Sequence, residues 1–360
     1  MITSAAKKAV LNRPDRSAIC PGWTSCCSSG KPELSEKTMW KQILSLALSC
    51  ILLMCVAQAE LSVHFLDVGQ GDAALVICDG EAMLIDGGPS SASQFVYTYL
   101  RQEVGELSVM IATHPHDDHI GGLAAALNAV PVDVVYSPVT GWDSRAWQSL
   151  EKYASAQGTP IVIPNEGDVI PLGGAEVTIL HCWPEAWTEN DMSIVLRVDY
   201  GTTSFLFTGD AEEMSEYMML TDQVPLRADV LKVAHHGSRY SSTPEFIEAV
   251  RPSWVVISCG AGNTYGHPHE ETLAVLGSTQ VLRTDQLGTI VFHSDGTGLR
   301  VESAASPVVE AVYIGNRNSM KFHYPDCPSV SDMAEHNKVS LASREDAIAL
   351  GYKPCGNCKP

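Results

Sequence analysis

The chain has 360 residues, 45% of them hydrophobic, and a formal net charge of −19, which is enough for one large domain plus a small one and too apolar for a disordered chain. The charge excludes a broad basic track of the kind that holds nucleic acid by its phosphates, although divalent cations bound in a cleft can reverse the sign locally. Eleven cysteines do not make a disulfide framework: five precede residue 60 and three fall in a late cluster, leaving Cys78, Cys182 and Cys259 beside apolar runs as buried thiols.

Residues 1–38 mix Pro, Ser, Gly, Lys and Cys without apolar periodicity, and no fold is expected there. Residues 39–59 open on Met39-Trp40-Lys41, continue as an apolar run from Ile43 to Val56 and end at Ala57-Gln58-Ala59, the pattern of a secretory signal peptide. Translation would then begin at Met39, and the protein would be secreted or held at the cell surface. The run is short for a membrane span, and no stable span is expected after cleavage, with an uncleaved anchor as the alternative.

Residues 60–303 read as one domain of alternating short strands and helices. Strands are expected at Leu61–Val68, Ala73–Cys78, Ala82–Ile85, Leu107–Ala112, Val132–Tyr136, Ile161–Ile163, Ala175–His181, Met192–Asp199, Ser204–Thr208, Val230–Val233, Trp254–Ser258, Thr279–Arg283 and Thr289–His293. Helices are expected at Phe95–Val104, Leu123–Val130, Trp142–Ala156, Glu212–Leu220, Pro244–Val250 and His269–Gly277. Two runs of strands with helices outside imply an α/β fold, a pair of sheets covered on both faces. Residues 304–312 read as a linker, and 313–360 as a separate small domain.

The chain's chemistry centres on Thr113-His114-Pro115-His116-Asp117-Asp118-His119-Ile120-Gly121-Gly122. His114 and His116 leave a strand two residues apart and can face one way; Asp118 and His119 sit where the backbone turns and can face a second ion. Imidazole with carboxylate suits Zn, Mn or Fe. Asp210 closes an apolar strand beside Gly209, and His235-His236 follows another. Neighbours on an extended chain face opposite ways, so one of these two histidines is expected to be a ligand, with the choice open. Asp67, Asp72 and Asp86 lie on tight Gly-rich turns, either as turn-makers or as supports for metal ligands.

This motif resembles the signature of the metallo-β-lactamase superfamily. Together with Phe65-Leu66-Asp67-Val68-Gly69-Gln70-Gly71-Asp72-Ala73, Leu84-Ile85-Asp86-Gly87-Gly88, Phe207-Thr208-Gly209-Asp210, Lys232-Val233-Ala234-His235-His236-Gly237-Ser238 and Asn263-Thr264-Tyr265-Gly266-His267-Pro268, it is similar to the hydrolase domain of the ComEC family of DNA-uptake proteins. The resemblance implies an αββα four-layer sandwich. It implies two divalent metals, Zn or Mn, one on His114 and His116, the other on Asp118 and His119, with Asp210 bridging. Many superfamily members carry a further histidine where this chain has Asn190, as in the ComEC pattern; an amide oxygen is a weaker ligand, which loosens the first metal or favours Mn. Two cations about 3.5–4 Å apart would give a bridging hydroxide that attacks phosphorus in line. Asp118 would orient that water, and His267 would contact phosphate or donate a proton to the leaving oxygen.

In the last segment, His323-x3-Cys327 and Cys355-x2-Cys358 have the spacing of a structural zinc site, with a capped helix between, over Ser343–Tyr352. A disulfide is the alternative. The stretch Gly351-Tyr352-Lys353-Pro354-Cys355-Gly356-Asn357-Cys358 resembles the Ada-type metal-binding domain of alkyl-DNA repair proteins. His323 stands where that family has its methyl-accepting cysteine, so the resemblance implies a zinc fold without methyl transfer. With six Lys/Arg against five Asp/Glu the segment is far less acidic than residues 60–303, and DNA contact is expected there if anywhere. The expected function is an exported metal-dependent phosphodiesterase acting on DNA, single- or double-stranded. One alternative is hydrolysis of phosphorylcholine or other wall-polymer diesters; another is a DNA-binding module with an inactive hydrolase domain.

Overall fold

The structure, a computed structural model, describes residues 60–303, 313–324, 327–334, 337–341, 344–349 and 351–359. The expected signal segment and linker lie outside these residues.

The first half of the main body starts with an antiparallel meander of β1 (Leu61–Phe65), β2 (Ala74–Cys78) and β3 (Glu81–Ile85). It continues in parallel through β4 (Val109–Ile111), β5 (Val135–Tyr136) and β6 (Ile161–Val162). Parallel neighbours need crossovers, which are supplied by α1 (Ser93–Glu103), the single turn α2 (Asp117–Ile120) with α3 (Leu123–Ala129), and α4 (Arg145–Gln157). Helix α4 is bounded by its chemistry: Ser144 Oγ accepts the Trp147 N–H at the start, and Gly158, at φ 78°, takes the left-handed closing position.

The second half repeats this plan. Strands β7 (Val169–Leu172), β8 (Ala175–His181), β9 (Val195–Tyr200) and β10 (Thr203–Phe207) are antiparallel. Strands β11 (Val230–Lys232), β12 (Trp254–Ile257) and β13 (Gln280–Arg283) extend β10 in parallel, over α5 (Glu213–Thr221), α6 (Pro244–Val250) and α7 (Glu270–Leu276). After a short turn α8 (Thr284–Leu287), the chain returns to the first sheet as β14 (Ile290–Ser294) beside β1, with β15 (Leu299–Ser303) at the edge. The result is an eight-stranded and a seven-stranded sheet.

Strand residues alternate between two apolar layers, so both faces of each sheet are buried. Val63, Phe65, Val76, Met83, Phe205, Phe207, Val256 and Phe292 fill the space between the sheets. Leu75, Leu84 and Met110 point the other way, onto α1, α3 and α4. Leu206, Leu231, Val255 and Ile257 do the same under α5, α6 and α7. This is the four-layer αββα sandwich that the resemblance implies. Phe292 ties the middle layer together, edge-on to Phe65, Phe205 and Trp254 with ring centroids 5.9–6.0 Å apart.

Strands β7 and β15 and the turns α2 and α8 were not among the expected elements. Pro171 sits inside β7, at the edge of its sheet where a missing N–H is tolerated.

One buried acid in this frame gives a stability expectation. Glu216 on α5 accepts hydrogen bonds from the Thr243 N–H and hydroxyl at the start of α6, and burial pushes its carboxyl from 4.5 up to about 7. A folded-state pKa above the unfolded one means its contribution is complete below 4.5 and is lost as pH rises through 7. Between pH 5 and 8, about the window this shift defines, Glu216→Gln is expected to lose less stability with rising pH than the wild type in parallel denaturant titrations.

The C-terminal residues form a third, four-stranded sheet, ordered β18 (Lys338–Leu341), β16 (Tyr313–Asn316), β17 (Lys321–His323), β19 (Lys353–Pro354). The short helices are α9 (Pro328–Ser331) and α10 (Arg344–Ala349), the latter inside the expected 343–352 helix.

Candidate metal centre

The ligand motif is placed by backbone stitching between three loops at the carboxyl ends of β1, β3 and β4. Gly87 N–H donates to His119 O (2.7 Å), Gly122 N–H to Gly88 O (3.0 Å) and Asp72 N–H to Asp118 O (3.1 Å). A side chain on Gly87 would meet the Leu123 nitrogen at 2.8 Å, so the close approach of these loops needs the glycine. From the other sheet, Asp210 follows β10 and the two histidines follow β11. All of these groups line the seam where the parallel strands of both sheets end.

Asp210 is the shared group, 2% exposed. Its Oδ1 lies 3.2 Å from His119 Nε2, and its Oδ2 lies 3.5 Å from His236 Nε2 and 3.9 Å from both His114 Nε2 and His235 Nε2. Asp118 Oδ2 lies 3.3 Å from His236 Nε2. His116 Nδ1 is 3.0 Å from His114 Nε2. The sequence motif therefore folds into one cluster, with His114, His119 and Asp210 in one ligand-sized group and Asp118, His119 and His236 in another.

Each ring is held by its far nitrogen. Asp86 Oδ2 takes the His119 Nδ1–H at 2.8 Å, and Asp86 is itself gripped by the Thr113 N–H (2.8 Å) and hydroxyl (2.7 Å). The Ser258 carbonyl takes the His236 Nδ1–H at 2.9 Å. Because the Thr113 hydroxyl proton is committed to Asp86, its oxygen, 3.2 Å away, is left to accept from His114 Nδ1. These bonds leave a bare Nε2 on His114, His119 and His236, the tautomer a cation requires. His119 Nε2, His236 Nε2, Asp210 Oδ1 and Asn190 Oδ1 are buried without a hydrogen-bond partner among the described residues. Such orphans are costly unless a ligand satisfies them, so the donor set fits divalent cations.

In a cation's absence the same carboxylates draw protons onto these rings, which a bound cation would displace. Burial opposes charge on every group, yet Asp210 and Asp86 hold His119 well above its ordinary value, and Asp210 with Asp72 lifts His236 to about 10. Against the same burial, His119 and His236 hold the Asp210 carboxyl well below the carboxylate range. His114, crowded by burial and by His119, is pushed well below. A carboxylate kept ionised among imidazoles attracts cations.

His235 and His236 differ from the expectation. Both lie in the left-handed region, at φ 50° and 54°, so the chain curls instead of alternating and both rings approach Asp210. His236 is the one grouped with Asp118 and His119. His235 Nδ1 faces Glu212 Oε1 at 3.3 Å, and Glu212 accepts from Asn190 Nδ2 at 2.8 Å, which turns the Asn190 oxygen away from it. Asp86 reaches His119 Nδ1 at 2.8 Å and Asp72 reaches His236 Nδ1 at 3.1 Å, whereas Asp67 bonds within its own turn. The Asp67 carboxylate is exposed and accepts the Gly69 N–H at 3.2 Å, so it makes the turn and nothing more.

His267 joins the cleft of about 370 Å³ that Asp118, Asn190, Asp210, His235 and His236 line. The Asn263 side chain clamps its backbone on both sides, through N–H to Oδ1 (3.0 Å) and Nδ2 to carbonyl (2.6 Å). Gln70 Oε1 accepts the Gly260 N–H, which turns its amide nitrogen to His267 Nδ1 at 3.5 Å, the outer limit of a hydrogen bond. The His267 proton is thereby assigned to Nε2. Burial, His236, His235 and His269 push this ring down to about 4.

Sequence reasoning gave no role to Glu212, Thr113, Ser258 or Lys232. Lys232 was findable: a lysine in an apolar strand must be paired, and its Nζ meets Asp72 Oδ2 at 2.6 Å, with Asp72 Oδ1 3.1 Å from His236 Nδ1. The others carry no signal outside the fold. Replacing Asp86 with Asn is expected to weaken metal binding about 10–100-fold, the usual cost of losing a ligand's outer partner. Competition with a chromophoric chelator would measure it.

In the C-terminal sheet, His323, Cys327, Cys355 and Cys358 bring one ligand atom each within 4.8 Å of one another. Zn–S bonds of about 2.3 Å put two thiolates of a tetrahedral site about 3.8 Å apart, so four atoms gathered within 4.8 Å need only close up slightly to share one ion. All three cysteines are free thiols, and backbone N–H groups of Cys358 and Asn357 pull the Cys355 thiol down.

A family model described as the metallo-beta-lactamase superfamily matches residues 66–260. ComE operon protein 3 of Bacillus subtilis (strain 168) is 31% identical over 257 residues, covering 65% of this chain and 33% of that protein. Recombination protein 2 of Haemophilus influenzae is 30% identical over 235 residues, covering 63% and 28%. Competence protein ComA of Neisseria gonorrhoeae is 28% identical over 254 residues, covering 69% and 34%. The chain thus spans about a third of the length of the curated relatives it matches. These relatives are ComEC-like, as the sequence stretches imply.

Proposed function

Since this chain belongs to the metallo-beta-lactamase superfamily, we propose that it is an exported metal-dependent phosphodiesterase whose substrate is DNA. The observation that carries this reading is the convergence of bare ring nitrogens and carboxylates from both sheets on Asp210. His114, His116, Asn190 and Asp210 would hold one divalent ion, Zn or Mn; Asp118, His119, His236 and Asp210 the other. Bound there, the ions supply Lewis acidity and an activated water. Asp118, 33% exposed where Asp210 is 2%, is the more open of these two carboxylates, and it can accept a proton from a water in the cleft. His267, neutral and protonated on Nε2, can donate a hydrogen bond to a phosphoryl or leaving oxygen. The weak Asn190 amide is held in place by Glu212.

DNA as the substrate is supported by the competence relatives and by the near-neutral C-terminal segment. The signal-like stretch 39–59 supports export; among the described residues no helix is long and apolar enough to cross a membrane. In the C-terminal unit a single zinc on His323, Cys327, Cys355 and Cys358 would be structural, as in the Ada-type domain it resembles.

Purified chain incubated with single-stranded DNA, duplex DNA and bis-p-nitrophenyl phosphate, with Mn or Zn, is expected to cleave DNA and the small diester and to stop on addition of chelator. Cleavage of the small diester and phosphorylcholine esters but of no DNA would transfer the assignment to wall polymers. DNA retention without any cleavage would leave a binding module.

A further inference from the structure

The loop between β12 and α7 carries a second ring next to His267. Tyr265 lines the metal cleft together with Asp118, Asp210 and His267, and is 65% exposed there. Among the described residues lining the cleft it is the one aromatic side chain that is not an imidazole. Its ring lies against that of His267, with centroids 5.6 Å apart and planes inclined by 20°. The loop is cinched. The Asn263 side chain donates to Gly260 O (3.0 Å) as well as to His267 O, and the Asn263 N–H reaches Gly260 O at 3.2 Å. At the foot of the loop Gly260 sits so close to the Gln70 backbone that a side chain there would meet the Gln70 nitrogen at 2.7 Å. Tyr265 is thus fixed beside His267, with most of its surface open to the cleft and the solvent.

The occupant follows from what adjoins a phosphate held in this cleft. In a nucleic acid every backbone phosphate has a flat base one sugar away, and any base stacks on an aromatic face. Stacking joins uncharged faces, so such a subsite does not depend on the sign of the chain's charge. A quaternary ammonium, which adjoins the phosphate in phosphorylcholine, is held by a cage of several aromatic rings, and this cleft offers one phenol. Resting on the phosphodiesterase reading, we propose that Tyr265 is the base subsite of the cleft: its ring stacks the nucleobase adjoining the phosphate that His267 bonds. Tyr265 selects and aligns; it touches no reacting atom.

The test is direct binding, by calorimetry on the metal-loaded full chain, of thymidine monophosphate, with its phosphate on either sugar hydroxyl, and of deoxyribose phosphate, which lacks only the base. Wild type is expected to bind the better thymidine isomer about tenfold more tightly than the sugar phosphate, within the range of one stacked base. Tyr265→Ala should bring that ratio close to one by weakening the nucleotide and not the sugar phosphate. Tyr265→Phe, which keeps the ring, should restore it. Equal affinities in wild type, a ratio unchanged in Tyr265→Ala, or tighter binding of phosphorylcholine than of either nucleotide would each overturn the subsite. Hydrolysis of bis-p-nitrophenyl phosphate separates the two readings. Chelator-sensitive cleavage alongside any of those three results removes the base subsite and leaves the phosphodiesterase standing, whereas no cleavage of it or of DNA removes the reading on which the subsite rests.

Discussion

Asp210→Asn is expected to lower kcat/KM for any diester by at least about 10³-fold, well beyond the roughly 10–100-fold cost of losing an outer partner. The carboxylate is the one acid within 4 Å of His114, His119, His235 and His236 together. Without its charge, both ion positions lose a ligand at once, and the carboxylate that kept the neighbouring imidazoles compatible is gone. An amide in the same place keeps the shape, so circular dichroism should be unchanged while bound metal, measured by mass spectrometry after dialysis, falls to a small fraction of wild type. Retention of wild-type metal content and turnover within a few-fold would show that Asp210 is a strand-end turn residue and not the shared ligand.

The second large effect belongs to the C-terminal sheet. Among the described residues its buried apolar groups are few, Phe322, Leu341, Ala347 and Tyr352 in one cluster and Val330 and Met333 beside the thiols in the other. A unit of that size cannot hold itself together by burial alone, whereas structural zinc contributes about 10–16 kcal/mol in small zinc domains. Cys355→Ser is therefore expected to remove one zinc from the chain and to make residues 313–360 the first to be digested in limited proteolysis. Hydrolysis of a small diester by the main body should remain within about twofold of wild type, since no ligand of that centre changes. A full zinc complement and an undiminished protease resistance in Cys355→Ser would refute the zinc staple.

The sequence alone reached the layers, and named most of the side chains that the fold gathers around Asp210, because both are written in strong local patterns. Phe205-Leu206-Phe207 before Gly209-Asp210, and Val230-Leu231-Lys232 before His235-His236, are apolar strands that stop at polar groups, and strand ends are where such groups can converge. What escaped is what depends on tertiary context. Strand β7 carries Pro171 and exposed Val169, so it reads as loop until an edge position is known. The four C-terminal strands are two to four residues long, too short for a period of two to register. The two histidines were expected to face apart because an extended backbone was assumed; consecutive left-handed residues reverse that rule. Asp67 and Asp86 are both acids after a strand in a Gly-rich turn, and only the position of His119 separates the support from the turn-maker.

Because Asp118 and His119 hang from one sheet while Asp210 and His236 hang from the other, any cation they share becomes a rivet through the two halves of the molecule. Loading the centre should therefore stiffen the joint between residues 61–162 and 169–283 as a whole, and a chain stripped of its ions would come apart first along that line. Ion supply would then govern how long the protein lasts as much as how fast it works.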